Sequence, residues 1–127
     1  MSSTTDFLTT NKNGVVAINN LNQTIAAQTT ALTAQADYYA GQYTSAPVTA
    51  ATLVASGSGY LVNVAILVAG AAGNVYDAAS TGAAGASNLL YPTVATVGFT
   101  PVGMRFTDGL VVTPGGGQTV VVTYSLD

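Results

Sequence analysis

Tyr60-Leu61-Val62-Asn63-Val64-Ala65-Ile66-Leu67-Val68 is the stretch whose reading decides the fold. Its even positions, Tyr60, Val62, Val64, Ile66 and Val68, are all apolar, while Leu61, Asn63, Ala65 and Leu67 are smaller or mixed. A period of two is that of a β-strand, so the stretch predicts one fully apolar face and a second face able to meet a neighbour. The apolar run from Tyr60 to Gly73 is about 14 residues long and interrupted by Asn63, against roughly 20 for a membrane-spanning helix. No membrane partner is expected.

Downstream, Gly109–Thr113 and Gln118–Tyr124 are rich in Val and Thr and flank Pro114-Gly115-Gly116-Gly117, a pattern that predicts a β-hairpin. Shorter runs at Val48–Ala55, Asn74–Ala78, Leu89–Val94, Val97–Thr100 and Val102–Phe106 are punctuated by Gly and Pro. Roughly seven or eight short strands in so short a segment predict a small antiparallel β-sandwich or jelly roll. A module of this size buries only about 60% of its unfolded surface. The second face of Tyr60–Val68 is then best covered by another subunit, and a trimer is expected. For the low-complexity stretch Gly70–Ser87 two readings stay open: close backbone approach around a symmetry axis, or a flexible surface loop.

Upstream the composition changes at Gly41–Pro47. All four prolines lie beyond Tyr43, whereas Thr, Asn, Gln and Ala dominate before it. The fold class expected is mainly β, with an N-terminal arm and helix over 1–43 and the β-domain over 44–127. Ile18, Leu21, Ile25, Gln28, Leu32, Gln35 and Tyr39 alternate spacings of three and four, the 3.5-residue period of a coiled-coil seam. Ile18, Ile25, Leu32 and Tyr39 take the a positions; Leu21, Gln28 and Gln35 take the d positions. Asn11 or Asn13 is the expected N-cap and Gly41 the glycine that ends the helix. Such a helix is weak alone, so self-association, as in a trimeric coiled coil, would stabilise it. The alternative is a single amphipathic helix packed on the β-domain.

The residue inventory excludes much chemistry. The 127 residues hold two cations, Lys12 and Arg105, and five acids, Asp6, Asp37, Asp77, Asp108 and Asp127, for a net charge of −3. Charged residues make up 6% of the chain, against about 25% in ordinary domains. There is no Cys, His, Trp or Glu. Thiolate chemistry, disulfides, zinc and haem ligation therefore go, and with them the usual carriers of acid–base catalysis. Two cations make no footprint for nucleic acid. A non-enzymatic protein without cofactor is expected.

The remaining constellations are weak. Asp77 and Asp108 could be imagined as a protease dyad, but Asp108 is followed directly by Gly109, which is turn chemistry. Ser56-Gly57-Ser58-Gly59 has no Lys to make it a phosphate loop. Calcium wants several carboxylates, and these are scattered unless copies bring them together. Arg105 is expected to pair with Asp77 or Asp108. Tyr38, Tyr39 and Tyr43 are expected to pack the end of the helix, with stacking on a sugar as the alternative. The start, Met1–Thr10, has neither a basic nor an apolar segment of the kind that directs secretion, so a cytosolic product is expected.

Taken in order, Ser58–Val64, Ala69–Asp77, Gly109–Gly115 and Val120–Ser125 resemble a small β-module of tailed-bacteriophage virion proteins. These are described as head fibres, capsid decoration proteins or minor structural proteins, and Asn11–Asn22 is similar to their beginnings. The resemblance implies a homotrimer on the virion, made in the host cytoplasm, with the major capsid protein as partner. The N-terminal part would attach to the capsid and the β-domain project outward. Phe7 and Leu8 are the candidate apolar anchors for that attachment. A tail-associated protein that binds a host-surface glycan is the alternative.

Overall fold

Nothing in the first forty residues breaks a helix outright: there is no Pro, and Gly14 costs only about 1 kcal/mol relative to Ala. Once nucleated, a helix propagates cheaply. The computed structural model describes residues 2–127, with side chains from Asn11 onward, and α1 runs over Ser2–Ala40 without interruption. This corrects the expected arm: residues 2–10 are helical, and Asn11 and Asn13 lie inside α1 rather than capping it. The end of the helix is as expected. Gly41 adopts φ +103°, its N–H donates to the Asp37 carbonyl at 3.0 Å, and a Cβ there would overlap the Thr123 methyl. A left-handed glycine closing that bond is a common helix stop. No described helix is long and apolar enough to cross a membrane.

The chain divides into two compact units, one reaching Ala36 and the other Asp37–Asp127. The second unit contains eight strands: β1 (Tyr43–Thr44), β2 (Thr52–Ser56), β3 (Gly59–Val68), β4 (Asn74–Asp77), β5 (Leu89–Pro92), β6 (Gly98–Phe106), β7 (Gly109–Thr113) and β8 (Thr119–Leu126). They form two four-stranded sheets, ordered β1-β8-β3-β6 and β2-β7-β4-β5, and every pairing is antiparallel. Only β4 and β5 are both consecutive in sequence and paired; every other connection passes from one sheet to the other. Leu61, Val64, Ile66, Phe106, Val120 and Val122 from the first sheet share one core with Ala55, Val75, Leu110 and Val112 from the second.

The expected hairpin at Pro114–Gly117 does not form. β7 lies between β2 and β4 while β8 lies between β1 and β3, so the turn bridges the two sheets. The cause lies in the flanking strands and in the loop itself. Leu110, Val111 and Val112 are buried consecutively, a pattern that suits a central strand covered on both faces. The loop also packs backbone against backbone: a Cβ on Gly115 would overlap Ala71 and Ala72, and one on Gly73 would overlap Thr113 and Gly115. The close approach offered by Gly70–Gly73 is thus met within one chain. The rest of that low-complexity stretch holds β4 and two short 3-10 turns, Thr81–Ala83 and Ala86–Asn88.

Gln118 fixes this arch. It is 1% exposed, yet its Oε1 accepts from the Thr93 hydroxyl (2.9 Å) and the Gly115 N–H (3.2 Å). Its Nε2 donates to the Val94 carbonyl at 2.6 Å, and Thr93 Oγ1 accepts from the Gly73 N–H at 2.7 Å. Among the described residues, no buried side-chain polar atom lacks a partner.

The decisive stretch is a strand, but its two faces are not the even and odd positions throughout. Leu61 is buried, then Val64 and Ile66, because the register shifts between Leu61 and Asn63 against both neighbours. A bulge at Val62 exchanges the faces. Tyr60 and Val62 therefore stay half-buried outside the core. The two runs Val97–Thr100 and Val102–Phe106 join into β6, which tolerates Pro101 because it is the last strand of its sheet.

Candidate functional site

The helix surface is the first candidate. Ile18, Leu21, Ile25 and Leu32 expose between 49% and 65% of their surface. Gln28 and Gln35 are exposed between them, and Tyr39 follows in the last turn. All seven positions of the 3–4 spacing therefore fall on one uninterrupted helix. Threonines of the helix satisfy their hydroxyls internally: Thr24, Thr30 and Thr33 each donate to the carbonyl four residues back, at 2.9–3.0 Å. No donor is thus left unmet at these exposed positions. Phe7 and Leu8, the expected anchors, lie outside the residues whose side chains are described.

The second candidate is an aromatic and ionic cluster in the unit Asp37–Asp127. Tyr38, Tyr39 and Tyr60 form a triangle with ring centroids 5.2–5.7 Å apart, two of the pairs edge-on. Tyr60 reaches it because the bulge at Val62 turns it out of the core. The Tyr38 hydroxyl donates to Asp127 Oδ1 at 2.7 Å, and Arg105 Nη2 donates to Asp127 Oδ2 at 2.9 Å. The Tyr38 phenol, then Ser58 and then the Arg105 guanidinium hold the Asp127 carboxyl below its usual range. Burial, and then the Asp127 carboxylate, raise the Tyr38 phenol. Beneath the rings, the Ser125 hydroxyl donates to the Tyr38 carbonyl, and Ser125 Oγ accepts from the Gln42 N–H at 3.0 Å. Tyr43 is not part of the triangle; it pairs with Tyr124 at 5.5 Å.

Sequence reasoning put Arg105 beside Asp77 or Asp108, but its partner is Asp127. The register explains this, since Arg105 lies opposite Tyr60, which in turn lies opposite Ser125 near the end of β8. Asp77 does something else. Its carboxylate accepts from the N–H groups of Thr107, Asp108 and Gly109 and from the Thr107 hydroxyl, at 2.8–3.3 Å, closing the turn between β6 and β7. Burial acts to raise its pKa, but the N–H donors of Asp108 and Thr107 outweigh that and hold the carboxyl below the usual range. Asp77 and Asp108 are thus joined through a backbone N–H, not as two facing carboxylates. Among the described residues, no three acidic side chains gather as a metal site would require.

Gln118 and Ser125 are the functional positions in folding that sequence reasoning missed. Gln118 lies just before β8 and bonds to Thr93 and Val94, while Ser125 lies within β8 and bonds to Tyr38 and Gln42; these partners are distant in sequence, so periodicity alone gives no signal for them. No family model, no curated protein and no solved structure matches this chain.

Proposed function

We propose that the chain is a non-enzymatic virion structural protein of a tailed phage, a homotrimeric head fibre or decoration protein attached to the capsid surface. The observation that carries this reading is the exposed apolar seam on a 39-residue helix. An isolated helix of modest propensity is marginal in water, and a second and third copy would bury Ile18, Leu21, Ile25 and Leu32 in knobs-into-holes layers. Gln28 and Gln35, in successive d layers, would cost stability but fix register and strand number.

The sheet unit supports the same reading. The orders β1-β8-β3-β6 and β2-β7-β4-β5, with connections that alternate between sheets, support the jelly-roll reading. Jelly rolls recur in viral capsid proteins and lectins, a fold-level analogy. A chain with 6% charged residues suits a protein that spends its life assembled. The attachment role stays with Phe7 and Leu8.

Light scattering on a sizing column tests the assembly. The expected mass is near 38 kDa, three copies of the 12.6 kDa chain; a strict monomer overturns the fibre reading. Deletion of residues 1–10 should abolish capsid binding and leave the trimer intact, and unchanged binding would sink the attachment role. Immunogold labelling on heads supports this assignment, whereas labelling on tails favours the alternative of a tail-associated receptor-binding protein.

A further inference from the structure

A cleft of about 390 Å³ opens between the Thr44–Ala50 segment, at the edge of the first sheet, and β2, at the edge of the second. Its size lies in the range of small-ligand sites, roughly 300–1,000 Å³. We propose that it binds a neutral sugar. This goes beyond the structural role above and does not depend on it.

Three observations carry the assignment. None of the residues lining the cleft is charged, so an ionic ligand would find no counter-charge there. Both walls carry hydroxyls: Thr44, Ser45 and Thr49 on one and Thr52 on β2, and Thr44 and Thr49 are exposed. Ser45 Oγ already accepts from the Val122 N–H, and Thr52 Oγ1 donates to the Ala50 carbonyl, so both are held in place with hydrogen-bonding capacity to spare. The third observation is aromatic. Tyr124 lines the cleft and stacks on Tyr43 with an interplanar angle of 30°, which extends the ring surface beyond the cleft. A pyranose presents an apolar C–H face and a rim of hydroxyls. It can lay the first on Tyr124 and direct the second to the threonines, as an amphipathic ring surface allows.

An extended peptide added to β2 is the competing occupant, and two features disfavour it. The register of β2 shifts between Leu53 and Ala55, which breaks the regular edge that strand addition needs. Pro47 removes a donor from the opposite wall.

The test uses the full chain, labelled with nitrogen-15, titrated with the methyl β-glycosides of glucose and N-acetylglucosamine, and separately with glucuronate. Saturable shifts of the Thr44–Thr52 and Tyr124 amides are expected for at least one neutral glycoside, with weaker binding of glucuronate. Thr49→Val keeps the shape of an exposed residue and removes one hydroxyl, which should weaken binding about fivefold. Tyr43→Ala should weaken it by a similar factor. Shifts confined to Tyr38, Tyr39 and Tyr60 would overturn the site. So would a complete lack of saturable shifts, unchanged affinity in both variants, or binding at the same amides by a Thr-Val repeat peptide but by neither glycoside.

Discussion

The two units of this protein solve the same problem in opposite ways. The sheet unit, with almost no charge, buries its large apolar residues between two layers, and Leu61, Val75, Phe106 and Leu110 are all fully enclosed. The helix, with equally little charge, leaves Ile18, Leu21, Ile25 and Leu32 in the open. Burial within the chain therefore stabilises the first, whereas in the proposed assembly burial between chains would stabilise the second. The comparison teaches that a low-charge sequence divides by period: a period of two lets two sheets cover each other, whereas a 3.5-residue seam on one helix leaves an apolar row that the proposed assembly would cover.

The strongest way to break that contrast is to charge the seam. Ile25→Asp with Leu32→Asp should convert the assembled chain to a monomer, read by light scattering, while the thermal transition of the sheet unit stays in place. If the transition falls as well, the two units are not independent. Next in size is Phe106→Ala, which removes a fully enclosed ring from the shared core. It should cost about 3–5 kcal/mol in denaturant unfolding of the sheet unit. Gln118→Ala should cost about 2–3 kcal/mol, because the Gly115 N–H and the Val94 carbonyl lose their buried partner.

A smaller effect sharpens the comparison through pH. The folded Asp77 carboxyl sits below its usual range. Its contribution is therefore full above the unfolded carboxyl pKa and is lost as pH falls through the folded one. Wild type should lose stability on acidification more steeply than Asp77→Asn, and the variant should already be weaker by about 1–2 kcal/mol at neutral pH. Melting curves across pH 2–7 would show it; parallel curves would remove Asp77 from the account. Arg105→Ala should do least, since the Arg105 side chain is 65% exposed and water already screens its pair with Asp127.

Much of this architecture was legible. The change of composition near Gly41 marks the end of the helix, and the Val-rich runs mark most of the strands. What was not legible depends on contacts between distant segments. The hairpin expected at Pro114–Gly117 rested on a local turn pattern, but Gly115 is there so that the Gly70–Gly73 backbone can approach, which no local pattern encodes. The bulge at Val62 reverses the faces of β3 halfway along, and a period-two reading carries no mark of an extra residue. Arg105 found Asp127 through pairing register, across strands far apart in sequence. The helix seam was read from spacing alone, since on a single helix spacing and surface position are the same thing.

The alternation of strands between sheets has a consequence in time. Apart from β4 and β5, no strand can pair with its neighbour in sequence, and β3 must wait for β8, more than fifty residues later, to close its second edge. Domains with such high contact order fold in about milliseconds to seconds, whereas a helix relaxes in about a microsecond or less. On a growing chain α1 emerges first and is ready long before the last strand exists. In the proposed assembly, copies made near one another would thus meet by their helices while their sheets were still open, and the order of synthesis would favour association before the sheet unit is complete.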